Sequence, residues 1–146
     1  MDKVGFAVVT RPNRGLIRRG EPVFLTVPAA RSRNISVLAA MNKYGMIYNV
    51  IFEGAVNGEN FKQCLKEIKE CCIIKGIENP IFIMDNARIH HYRGLMDDEE
   101  IRQMPLTYLP PYSPFLNPIE NIFSVWKNNV IRDCARNEEG FRRLIQ

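Results

Sequence analysis

Histidine is scarce in this chain, with His90 and His91 alone among 146 residues, and the four cysteines (Cys64, Cys71, Cys72 and Cys134) form no C-x-x-C pair. Neither the ligand spacing of a structural zinc site nor a disulfide framework is therefore indicated, and a reducing compartment is the expectation. No uninterrupted apolar run approaches the roughly 20 residues that a membrane-spanning helix needs, and no apolar leader precedes the first charged residue. The chain reads as soluble. Internal repeats, low-complexity segments and linkers are also missing, which favours one globular domain over 1–146.

The charge is unevenly placed. The net charge is +4 and the sequence pI about 9.0. Between Arg11 and Arg33 lysine is absent and Glu21 is the single acid, while six arginines are present: Arg11, Arg14, Arg18, Arg19, Arg31 and Arg33. Guanidinium groups stay charged and offer forked donors that fit phosphate oxygens, so this cluster suits a nucleic acid backbone. A solvated hairpin surface explains it equally well.

Periodicity predicts β-rich runs at VGFAVV (4–9), VFLTV (23–27), NISVLAAM (34–41) and MIYNVIFE (46–53), with NKYG as the hairpin turn between the last two. From Asn57 the pattern changes. Phe61, Cys64, Leu65, Ile68 and Cys72 mark one face of a helix running to about Ile74. PIFIMDNA reads as a short strand buried on both faces, followed by a helix between Arg93 and Gln103, a second short strand in PLTYLP, and a helix opened by Asn117. That order predicts an α/β fold, a mixed sheet covered by helices.

Two carboxylates stand where such folds bind ligands. Asp85 ends a strand, the edge of an open α/β sheet at which ligands gather, although Asp-Asn also simply starts turns. Glu120 falls three residues after Asn117, with Pro118 between, which matches a capping box. The core stripe of that helix, however, is Ile119, Ile122, Phe123, Trp126 and Val130. Glu120 then lies about 100° round from Ile119, at the margin of the buried face. Converging carboxylates repel unless a cation is present, and oxygen donors suit magnesium or manganese. A pair of such ions serves in-line displacement at phosphorus.

IFIMDNARIHH and LPPYSPFLNPIENIFSVWK, with 34 residues between Asp85 and Glu120, resemble the DDE superfamily endonucleases, specifically the catalytic domain of Tc/mariner-like cut-and-paste transposases. RRGEP, SRNISVLAAM and FEGAVNGENF extend the resemblance over nearly the whole chain. It implies a ribonuclease H-like fold, with a five-stranded mixed sheet and helices on both faces. It also implies an Asp-Asp-Glu triad of Asp2, Asp85 and Glu120 holding two Mg2+ or Mn2+ ions, with Asn86, His90 and Asn117 around it. DNA is the implied partner, gripped non-specifically by the six arginines, and a homodimer is the family's usual working form.

The chain begins MDKVGF, so the upstream part of the first strand and the helix-turn-helix region of the family are expected to be missing. Lys3 stands where the family usually has glutamate. A residue so near a terminus depends on strand pairing to keep its place, which applies to Asp2. The two functions to separate are a truncated but competent DNA endonuclease and strand transferase, and an inactive remnant that binds DNA or a partner chain. A nuclear location is implied for a eukaryotic host, and a cytoplasmic one for a bacterial host.

Overall fold

In a computed structural model the protein is described over residues 1–7, 34–133 and 143. Three strands come first in space: β1 (Asp2–Ala7), β2 (Asn34–Asn42) and β3 (Gly45–Glu53), paired antiparallel in the order β1-β2-β3. The NKYG turn forms as expected, with Asn42 Oδ1 accepting from Tyr44 N at 2.8 Å and Gly45 at φ 139°. β4 (Phe82–Met84) and β5 (Leu106–Tyr108) form a parallel pair in register Phe82 with Leu106 to Met84 with Tyr108. The two ladders meet where the Met1 nitrogen donates to Ile83 O at 2.7 Å. The VFLTV run lies outside the described residues.

The helices follow the apolar stripes. α1 (Gly58–Ile74) is opened by an Asn57 capping box with Asn60, and buries Phe61, Cys64, Leu65, Ile68 and Cys72. α3 (Ile119–Asp133) buries Ile119, Phe123, Trp126 and Val130. β2 carries the division of the core, because alternate residues point to opposite sides of a strand. Leu38 and Ala40 pack into the cluster that contains the α1 stripe, and Ile35, Val37 and Ala39 into the cluster that contains the α3 stripe. Among the described residues no helix is long and apolar enough to cross a membrane.

Two expectations are corrected. The stretch 93–103 is not one helix: after a 3-10 turn at Arg88–His91 it holds a second one at Arg93–Leu95, then α2, only Glu99–Arg102. Its order comes from tertiary partners on α1. Tyr92 Oη donates to Glu59 at 2.6 Å, and Lys66 pairs with Asp98 at 2.6 Å. β4 is also not buried on both faces. Phe82 and Met84 face the core, whereas Ile83 between them is 49% exposed. Its apolar run without alternation resembles a doubly covered strand, yet three residues are too few to distinguish the two cases.

Candidate active site

Asp2 is the most enclosed of the three acids. It pairs across β1–β2 with Ala39 and is only 3% exposed, so strand pairing does hold it in place. Lys3 N donates to its Oδ1 at 2.6 Å, and Asn117 Nδ2 donates to its Oδ2 at 2.9 Å. Burial pushes its pKa up from 3.8 to about 7, helped by the charges of Asp85 and Glu120 and by a hydrogen bond with the Glu120 side chain. Three chain segments, β1, the end of β4 and the start of α3, thus bring their carboxyl groups to one place.

Asp85 follows β4. Its Oδ1 accepts from Ala87 N at 3.1 Å and approaches His90 Nδ1 at 2.7 Å. His90 is fully buried, and burial lowers its pKa below the usual histidine value. Ligand atoms of Asp2, Asp85 and His90 all lie within 4.8 Å of one another. Among the described residues His90 thus stands with Asp2 and Asp85 in one cluster of possible ligand atoms, and Glu120 reaches the same place through Asp2. Asn86 turns aside: its side chain contacts His91 Nε2, whose ring stacks on Tyr108 at 4.5 Å.

At Glu120 the capping box does not form. Asn117 O accepts from Glu120 N at 3.1 Å, so the helix opens there as expected. The Asn117 amide, though, is committed to Asp2, and the Glu120 carboxyl meets Asp2 rather than the helix's own backbone. A cavity of about 460 Å³ opens over two of the acids, Asp85 and Glu120, and is lined also by Asn86, Asn117 and the proline-rich loop Leu109–Pro114.

Tyr112 and Phe115, on and just after this loop, are residues that sequence reasoning does not single out. They are 98% and 80% exposed. Tyr112 holds a left-handed backbone at φ 58°, which is rare for a bulky residue and is retained where the surroundings impose it. The available signal is an aromatic pair among prolines, PPYSPF. Arg11, Arg14, Arg18, Arg19, Arg31 and Arg33 lie outside the described residues.

The sequence profile of the DDE superfamily endonucleases matches residues 1–142. The chain belongs to that family. No curated protein sequence matches it. Among solved structures, this DDE superfamily member is similar to the Mos1 transposase paired-end complex with left transposon end, at TM-score 0.68 and 20% identity over 98% of this chain and 49% of that one. It is also similar to the mariner Mos1 paired end complex with Mg, at TM-score 0.61 and 19% identity over 99% of this chain and 51% of that one. The catalytic domain of Mos1 mariner transposase aligns at TM-score 0.52 and 18% identity over 84% of this chain and 72% of that one. The fold of this DDE member is that of the mariner catalytic domains, ribonuclease H-like, and the chain spans about half the length of the paired-end transposases.

Proposed function

We propose that the chain is the catalytic domain of a Tc/mariner-like transposase, acting as a metal-dependent DNA endonuclease and strand transferase. One observation carries this reading: β1, the end of β4 and the start of α3 bring Asp2, Asp85 and Glu120, distant in sequence, to one place, where the charges of Asp85 and Glu120 add to burial in raising the Asp2 pKa. Such a set fits a divalent cation, because carboxylate oxygens are the donors that Mg2+ and Mn2+ prefer and a cation relieves their mutual repulsion. In this reading Asp2, Asp85 and Glu120 hold two ions. Bound there, the ions supply Lewis acidity that lowers the pKa of the attacking water or DNA 3′-hydroxyl and stabilises the leaving oxygen.

The chain's own residues then place these acids and receive the nucleic acid. Asn117 fixes Asp2 through its amide, and the Leu109–Pro114 loop walls the cavity. The exposed rings of Tyr112 and Phe115 offer faces for unpaired bases, a stacking that tolerates any sequence. The six arginines from Arg11 to Arg33 serve the phosphate backbone in this reading, as a homodimer brings paired DNA ends together. We further read residues 1–146 as one domain. Its five strands form a single mixed sheet in the order β3-β2-β1-β4-β5, with α1 and α3 on opposite faces; the Met1–Ile83 hydrogen bond supports the join.

The reading is tested by nicking of supercoiled DNA with Mg2+ or Mn2+. Wild-type protein is expected to nick, and Asp85→Ala and Glu120→Ala to lose at least about a hundredfold in rate, roughly 3 kcal/mol of barrier. Cleavage that survives in both variants overturns it.

A further inference from the structure

His90 occupies the 3-10 turn Arg88–His91, five residues after Asp85, and its ring is enclosed on every side. Nδ1 lies 2.7 Å from Asp85 Oδ1 and 3.1 Å from the Asp85 carbonyl oxygen. Both are acceptors, so Nδ1 must carry the hydrogen. Nε2 is buried without a partner. A second proton there would be an unpaired N–H in the core, which leaves the neutral Nδ1–H tautomer. The ring is fixed from both ends: Phe61 packs against it at 4.7 Å, and Tyr108 Oη donates to the His90 carbonyl at 3.0 Å.

We propose that His90 is a positioning residue that clamps the Asp85 carboxylate through Nδ1–H, committing Oδ1 to protein donors and presenting Oδ2 to a divalent cation. The proposal rests on the metal-dependent reading above. Ala87 N takes the same Oδ1 at 3.1 Å, and Oδ2 has no partner among the described residues. A carboxylate at a strand end otherwise rotates about its own side-chain bonds, and an outer hydrogen bond removes that freedom before the ion arrives. The competing role is ligation by His90 itself, which the proximity of Asp2, Asp85 and His90 invites. Nδ1 cannot do it while donating to Asp85, and Nε2 is walled in.

Three variants separate the roles, read by calorimetric Mn2+ titration. An Asn amide places its N–H near the position of Nδ1, a Gln amide reaches that of Nε2, and Phe offers neither. The clamp predicts that His90→Asn keeps Mn2+ affinity within about threefold, while His90→Gln and His90→Phe weaken it by roughly tenfold or more. Retention by Gln with loss in Asn means ligation through Nε2 and overturns the proposal, as does unchanged affinity in all three. Should Phe fail to fold, the Asn and Gln pair decides. Long-range 1H–15N NMR of metal-free wild type is expected to show His90 protonated at Nδ1, and protonation at Nε2 overturns the clamp. If wild type binds no Mn2+, the metal reading fails, and the tautomer still decides whether His90 donates to Asp85.

Discussion

Asp2 carries a cost that the fold accepts. Its carboxyl titrates at about 7 in the folded protein against 3.8 in the unfolded chain, burial being the main cause. Between those two values the folded form binds the extra proton, so stability is greatest at low pH and is lost as pH rises from about 4 to 7. The loss is complete above pH 7. Asp2→Asn removes this ionisation while its amide oxygen still accepts from Asn117. In EDTA, the variant is expected to melt about 5 °C above wild type at pH 8 and close to it at pH 4. Thermal melts across this range check it, and parallel pH profiles for the two proteins would refute the account. On the metal-dependent reading the same burial serves the site, because an ionised group held there against its preference would be stabilised by a cation.

At the scale of elements, the parts ordered by their own periodicity are legible in the sequence and the parts ordered by distant partners are not. Phe61, Cys64, Leu65, Ile68 and Cys72 repeat at helical spacing, and α1 buries all five. Asp85 at a strand end and Glu120 at the margin of α3 follow from the same kind of pattern. Asn117 reads as a cap because the local sequence offers nothing else, whereas its amide partner, Asp2, stands 115 positions away. The segment from Arg93 to Gln103 departs from its expected helix for the same reason. It is held by Tyr92 lying across the first turn of α1, where a Cβ on Gly58 would fall 2.3 Å from Tyr92 Cγ. Replacing glycine by alanine in a helix ordinarily stabilises it by about 1 kcal/mol. Here Gly58→Ala is expected to destabilise by about 1–3 kcal/mol through overpacking, seen as a lower urea midpoint. Adding Tyr92→Ala should make the Gly58→Ala change harmless; a double mutant in which the penalty persists would show that Tyr92 is not its source.

For the whole molecule, the acids sit on a seam. Asp2 belongs to the antiparallel ladder, Asp85 follows β4 of the parallel ladder, and Glu120 comes from α3, while the bond from Met1 N to Ile83 O is the backbone link between the two ladders among the described residues. Repulsion among the carboxylates therefore works against the link between the ladders, and on the metal-dependent reading a cation there would relieve it. A ligand that binds the folded form alone stabilises by RT ln(1 + [L]/Kd), about 2.7 kcal/mol at a hundred times Kd. Mn2+ at that excess should raise the melting temperature by about 8 °C. Because the site joins both ladders, the shift should appear equally in far-ultraviolet dichroism and in the fluorescence of Trp126, which packs in the α3 cluster. Asp85→Ala should abolish it in both. A shift confined to one probe would mean that the ion steadies only part of the molecule, and a shift that survives Asp85→Ala would place the ion elsewhere.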